Sequence, residues 1–326
     1  MRIAVTFCNQ RYSPTLALAS VSSDTDGWVE LPKNDHSLGA TGVVRIDDRL
    51  IVAIQESAPR TTLVSLDRNW RTQDVLTLGP VRDAHDIAIT DDGILVTSTG
   101  TDELYLDDHV IFRASSLQRD EHHLNGVTSD GERTLITMFG AKRDRSWSKV
   151  ADGRLVDIAR GTLIEGLHHP HSPRLTGGQV WVCDSGRGEL VVSEGREHRI
   201  PIGGYTRGLW VGDDVVILGI SAARSRSRSE GTTNILASGE NDRVGIVFID
   251  RHKLTILDRW ELSGLGGEIF DLARVDDFET LGGRGAHQQR AIHLAERITQ
   301  LEQSLEQRAV STPTPHSNRP SPTPGA

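Results

Sequence analysis

His85-Asp86-Ile87-Ala88-Ile89, followed by Asp91-Asp92-Gly93 and then Ile94-Leu95-Val96, reads as a strand, a tight turn and a second strand. The opening phrase recurs as Ala40-Thr41-Gly42-Val43-Val44, Leu124-Asn125-Gly126-Val127-Thr128, His171-Ser172-Pro173-Arg174-Leu175, Thr206-Arg207-Gly208-Leu209-Trp210 and Ile269-Phe270-Asp271-Leu272-Ala273. In the first five copies along the chain an Asp/Gly turn leads into a second apolar strand, as Gly177-Gly178 leads into Val180-Trp181-Val182. The copies are spaced by roughly 35 to 65 residues, the range of radially repeated strand groups rather than of a sandwich. Six copies predict an all-β fold, a six-bladed β-propeller.

The sixth copy has no second strand, because a polar stretch follows Val275-Asp276-Asp277. At the other end of the chain Ile3-Ala4-Val5-Thr6-Phe7-Cys8 is a strand without a first strand of its own. Pairing the two would close the ring and remove the exposed edges of an open array. Shorter apolar runs between the hairpins, Thr62-Leu63-Val64-Ser65-Leu66, Glu189-Leu190-Val191-Val192 and Gly245-Ile246-Val247-Phe248-Ile249, supply outer strands.

Six sheets of this size consume nearly all of the 326 residues, so one domain is expected over residues 1–277. An apolar content of 37% and 32 glycines suit many tight turns. A net charge of −9 argues against a nucleic-acid surface, which needs a basic face to neutralise phosphates. No stretch reaches the apolar length of a membrane span and the N-terminus lacks a signal-peptide pattern, which predicts a cytoplasmic protein with no membrane partner. Cys8 and Cys183 fall on second strands of different blades and read as small buried residues rather than a disulfide or a reactive thiol.

Two segments depart from the strand rhythm. Residues 222–243 carry the alternation Arg224-Ser225-Arg226-Ser227-Arg228-Ser229 with no core pattern, which predicts a mobile loop. Beyond Asp277, Leu294, Ile298, Leu301 and Leu305 lie at helical steps, so residues 278–310 are expected to form an amphipathic helical extension. Its narrow apolar stripe would dock on the propeller or join a second subunit as a homo-oligomer. The Pro, Ser and Thr-rich residues 311–326 predict a disordered tail.

First-strand starts and second-strand ends of a propeller converge on one mouth of the central channel. The starts supply His85, His123, Asn125, His169, His171, Tyr205, Arg207 and Glu268, and the ends supply Asp184, Ser185 and Ser221. Imidazoles with a carboxylate can hold a divalent metal (Zn, Fe, Mn or Ca), giving His85, His123, His169, His171 and Glu268 as candidate ligands. His171, Arg207, Glu268 and His85 are the candidate catalytic residues, and Asn125, Asp184, Ser185, Tyr205, Ser221 and Arg224 the candidate substrate contacts. Arg207 would clamp a carboxylate or phosphate, and Glu268 would bind metal or act as a base. The competing reading makes the histidines blade caps and Arg207 with Glu268 a structural ion pair. His122 and His168 alternate with their neighbours and are expected to point away. Asp86 and Asp271, one step along, are expected to receive backbone N–H groups inside the barrel. Asp184-Ser185-Gly186 lacks the strand-to-helix elbow of a serine nucleophile.

Five ordered motifs carry a resemblance: His168-His169-Pro170-His171-Ser172-Pro173-Arg174, Cys183-Asp184-Ser185-Gly186-Arg187-Gly188-Glu189-Leu190, Thr206-Arg207-Gly208-Leu209, Gly219-Ile220-Ser221-Ala222-Ala223-Arg224 and Gly267-Glu268-Ile269-Phe270-Asp271. Over residues 3–275 the chain resembles a bacterial family of propeller-like proteins, domain of unknown function 4915. The resemblance implies the propeller and brings no reaction. The architecture is also similar to six-bladed lactonases and lyases with a metal in the funnel, although this chain lacks their set of one Glu, two Asn and one Asp at first-strand starts. Two functions follow as expectations. One is an enzyme acting on a small polar metabolite, a sugar or amino-acid derivative, by metal-assisted hydrolysis, elimination or isomerisation. The other is a non-catalytic scaffold binding a protein or glycan partner.

Overall fold

A computed structural model describes residues 1–9, 18–22, 26–32, 34–57, 60–222, 244–262, 265 and 267–281. Arg224 and its Arg-Ser segment, most of the expected helical extension and the tail lie outside the described residues. Residues 278–281 are irregular, and Phe278 packs on Trp70 with ring centroids 4.9 Å apart. Among the described residues no helix is long and apolar enough to cross a membrane.

The chain begins with β1 (Arg2–Phe7), β2 (Leu18–Ser22) and β3 (Asp26–Val29). The first complete sheet is β4 (Ser37–Ile46), β5 (Arg49–Glu56), β6 (Thr61–Leu66) and β7 (Thr72–Leu78). The second is β8 (Ala84–Thr90), β9 (Gly93–Ser98), β10 (Glu103–Leu106) and β11 (His109–Arg113). The third is β12 (Leu124–Ser129), β13 (Thr134–Met138), β14 (Gly153–Asp157) and β15 (Gly161–Leu167). The fourth is β16 (Pro170–Thr176), β17 (Gln179–Asp184), β18 (Glu189–Ser193) and β19 (Glu197–Pro201). The fifth is β20 (Tyr205–Val211), β21 (Val215–Ser221), β22 (Gly245–Asp250) and β23 (Ile256–Glu261). The sixth joins β24 (Ile269–Arg274) to the N-terminal strands in the order β24-β1-β2-β3. The protein is thus an all-β, six-bladed propeller, and all six repeated phrases lie on inner strands.

Burial falls from the inside of each sheet outward. Inner and second strands are almost wholly buried, whereas β7, β15 and β23 are largely exposed, so their residues need only hydrogen bonds to the third strand. The core is correspondingly divided into six main clusters, each lying between neighbouring blades. Trp181, fully buried, packs with Cys183, Leu190, Leu209 and Val247 across the fourth and fifth sheets. The sixth sheet packs on both sides, Val5 and Phe7 against Ile217 and Ile246, and Ala4 and Leu18 against Leu50 and Val52. Truncating a side chain such as Trp181 to Ala would cost about 3–5 kcal/mol.

Candidate functional site

Each of the six inner strands breaks register near its start, and β4 has a further shift between Ser37 and Gly39. The shifts fall between Ala40 and Val43, Ala84 and Ile87, Leu124 and Gly126, His171 and Arg174, Arg207 and Leu209, and, on β24, between the residues facing Phe7 and Val5. A bulge inserts an extra residue into one strand and re-aims side chains on either side of it. It follows from this repeat that Thr41, His85, Asn125, Ser172, Arg207 and Phe270 lie in or beside bulges at one level of the ring. Glycine permits the close approach this requires: a Cβ on Gly126 would lie 2.5 Å from Pro173 Cδ, and Gly208 has φ +69° with Asp271 Cα only 3.0 Å from where its Cβ would stand. The residues leading into three of these strands, Asp83, His123 and His169, are all left-handed, a sparsely populated state for residues with a Cβ.

The bulges and entry turns gather an aromatic and imidazole cluster. His123 packs on His85 at 5.0 Å, on Phe139 at 4.3 Å and on Trp147 at 5.0 Å. His169 stacks on the other side of Phe139 at 4.3 Å, and Phe270 lies 5.2 Å from His85. The buried Arg207 guanidinium lies over both Phe270, at 4.9 Å, and Tyr205, at 5.2 Å. Its Nε donates to His171 Nε2 at 3.2 Å and its Nη1 to Cys8 Sγ at 3.5 Å. Glu268 completes this side, accepting from Asn9 Nδ2 at 2.9 Å and from the Cys8 thiol at 3.4 Å, while the Asn9 backbone donates to Gln55 Oε1.

Burial keeps the His85, His169 and His171 imidazoles uncharged. Burial drives the His171 pKa well below its ordinary value, and the Arg207 charge adds to the effect. His169 is lowered to about 3, again first by burial, although the Trp147 carbonyl that accepts from its Nε2 opposes the shift. His85 is lowered by burial against the opposing pull of Asp83, whose Oδ2 lies 3.4 Å from His85 Nε2. Burial alone would raise the Asp83 carboxyl, but His85 and His123 hold it below its usual range. Arg207 would be lowered by burial too, yet Tyr205, Cys8 and Glu268 raise it, so the cation persists.

Among the described residues, the buried His85 Nδ1 and Asn125 Nδ2 in the ring have no hydrogen-bond partner. Asn125 Oδ1 accepts from the Thr137 hydroxyl, which leaves its NH2 group as the unpartnered end. With Nε2 toward Asp83, neutral His85 carries its lone pair on Nδ1.

Other candidates have different work. Asp184 is fully buried and turned to the outer strands, where it accepts from Arg187 (2.5 Å), Arg199 (2.9 Å) and the His168 backbone (2.8 Å). Ser221 straps one blade to the next by donating to the Ile269 carbonyl. Ser185 donates to the Thr206 carbonyl and stands 2.8 Å from His171 Nδ1, so it positions the imidazole. The expected metal ligands are not arranged as a shell: among the described residues no group of three or more His, Cys, Asp or Glu side chains is disposed to hold a metal ion. Both nitrogens of His171 are engaged, His169 Nε2 faces the Trp147 carbonyl, and the buried Arg207 cation stands where a dication would be repelled.

Sequence reasoning passed over Phe139, Trp147, Phe270 and Asp83, whose role depends on which way a bulge or a left-handed turn points. Asp86 and Asp271 do receive backbone N–H groups, from Val127 and Val43. Cys183, the cross-strand partner of His171, packs in the core between the fourth and fifth sheets, and burial pushes its thiol up to about 12.

None of the curated proteins matches this chain. Solved structures are similar in fold. A chain of the nidogen/laminin complex is 10% identical with a TM-score of 0.57, over 83% of this chain and 97% of that one. A protein of unknown function from Bacteroides caccae is 13% identical with a TM-score of 0.56, over the same two shares. A luciferin-regenerating enzyme is 9% identical with a TM-score of 0.51, over 71% of this chain and 78% of its own. Identities this low speak to architecture alone. The family description, in contrast, matches residues 41–280, from β4 through β24. The chain therefore belongs to the family described as Domain of unknown function (DUF4915).

Proposed function

We propose that the cluster around Arg207 binds a small polar metabolite through an anionic group and moves a proton on it, in a hydrolysis, elimination or isomerisation. The carrying observation is the pair of unpartnered buried atoms, His85 Nδ1 and Asn125 Nδ2, beside a buried guanidinium. Buried polar groups are ordinarily hydrogen-bonded, and a lone donor or acceptor costs about 1–3 kcal/mol, so a ligand that pairs both atoms accounts for their retention.

In this reading Arg207 holds a carboxylate or phosphate, fixed by its contacts to Tyr205, Phe270 and His171. Asn125 donates to a carbonyl or hydroxyl oxygen. His85 is the base: Asp83 sets its tautomer, burial keeps it neutral, and Nδ1 can accept a proton from the substrate. Glu268, half-buried beside Cys8, is the second candidate for proton transfer. The residues present do not fit a divalent ion, and no step is routed through one. The paired β1 and β24, Ile3 with Arg274 and Ala4 with Ala273, are the clasp that holds the ring shut around this site.

The test is thermal-shift screening of small carboxylates and sugar or amino-acid phosphates, followed by calorimetry on hits. Arg207→Met should abolish a stabilising hit and His85→Gln should weaken it, with both variants still unfolding cooperatively. Unchanged affinity in both folded variants would remove the proposal and leave the scaffold reading, with binding on the blade rims.

A further inference from the structure

Beyond the bulges, the inner strands continue toward the mouth opposite the histidines. Just past the bulges, Val43, Ile87, Arg174, Leu209 and Leu272 are the first residues back in register and Val127 is the second, and all six line the same cavity. Five are apolar and one is arginine. A pseudo-sixfold layer of Val, Ile and Leu would pack without a cation, so Arg174 is a departure that the fold does not require. These six residues line a cavity of about 580 Å³, which lies within the volume range of small-molecule sites.

Arg174 donates Nη2 to Asp271 Oδ1 at 2.8 Å and Nη1 to the Pro173 carbonyl at 2.8 Å, and Nη1 stands 3.8 Å from Asp86 Oδ2. Among the described residues these bonds use two of its five N–H groups, and its side chain keeps 20% of its surface exposed at the cavity. The two aspartates do not surround it with two full charges: burial raises both carboxyls, and the Asp271 charge adds to the rise of Asp86, to about 8. At the rim stand two further cations from β4 and β24, Arg45 and Arg274. Each is paired with an aspartate outside the cavity wall, Asp277 or Asp276, while the wall itself carries one carboxylate, Asp47.

We propose that this mouth is a second binding site, separate from the histidine cluster, for a small amphipathic anion. The anion's carboxylate would take the remaining N–H groups of Arg174, and its apolar body would lie against the Val, Ile and Leu layer. A polar sugar phosphate would leave that layer unsatisfied, and a neutral hydrocarbon would leave the guanidinium so. The proposal does not depend on the reading of the histidine mouth.

Sodium octanoate is a suitable probe, with methyl octanoate as its uncharged counterpart, each titrated into the full-length protein by calorimetry. One saturable site for octanoate is expected, with the ester weaker by roughly tenfold, the loss of one charge-assisted contact. Arg274→Glu, a rim variant with a half-exposed side chain, should weaken octanoate severalfold, and Ala88→Phe should block the cavity. Arg207→Met should leave octanoate binding unchanged. No saturable heat at millimolar octanoate would overturn the proposal. So would equal affinity for acid and ester, wild-type affinity in the folded Arg274→Glu and Ala88→Phe variants, or loss of binding in Arg207→Met.

Discussion

Arg207 Nε donates to His171 Nε2 across 3.2 Å, and that one contact fixes the state of the imidazole. An arginine always donates, so Nε2 carries the lone pair and the proton resides on Nδ1, directed to the His169 carbonyl and Ser185. Nitrogen-15 NMR of the His171 ring should therefore show a neutral Nδ1–H tautomer at pH 7. An imidazolium, or the opposite tautomer, would contradict the geometry.

The same histidines make stability depend on pH in a known direction. His85, His169 and His171 all have folded pKa values below 6.5, so the unfolded chain takes up protons first. Stability is then full above pH 6.5 and falls as pH drops from there toward the folded values, about 3 for His169. Each group contributes a slope of at most ~1.4 kcal/mol per pH unit. Melting temperature should drop between pH 7 and 5, and less steeply in His169→Phe; parallel curves would count against a buried neutral His169.

Asp86 works in the opposite sense. Its carboxyl is neutral in the fold up to about pH 8 but ionised in the unfolded chain above 3.8, so its contribution worsens as pH rises through that window. Asp86→Asn cannot titrate. Its melting temperature relative to wild type should climb from pH 5 to pH 8, whereas a constant difference would show that Asp86 is ionised throughout.

Gly208→Ala tests the bulge. The substitution places a Cβ at φ +69° and 3.0 Å from the Asp271 backbone, so a loss of about 1–3 kcal/mol is expected in urea unfolding. Gly131→Ala, also at positive φ but with open space around it, should cost less. Equal losses would mean that crowding between the fifth and sixth blades is not what selects glycine at position 208.

Ring closure can be probed through Ala4 and Ala273, which are direct partners across β1 and β24. Oxidising the double variant Ala4→Cys, Ala273→Cys should raise the unfolding free energy by roughly 2–4 kcal/mol over its reduced form. No gain on oxidation would place the first opening of the ring elsewhere.

The order of blades was legible because the first-strand phrase recurs six times and an Asp/Gly turn into a second apolar run follows five of the copies, all local signals. Local chemistry also flagged His85, Asn125, His171 and Arg207, since polar residues at strand starts do not serve packing. What lay beyond reach was phase. A bulge adds a residue to one strand without changing the composition around it, so alternation counted along the sequence fails where the site begins. Phe270 was missed for this reason, and alternation could not foresee that Asp184 meets Arg187 and Arg199 or that Ser221 meets the Ile269 carbonyl.

By itself the sequence determined an all-β propeller of six sheets and the set of residues rich in proton-transfer and anion-binding chemistry, because both are written in nearest-neighbour patterns. Only the tertiary structure decided which of those side chains meet, which nitrogen each imidazole presents, and that Arg174 faces a second cavity. Those outcomes depend on bulge registration and on burial contributed by strands far apart in the chain, as when Asp271 meets Arg174 across 97 positions.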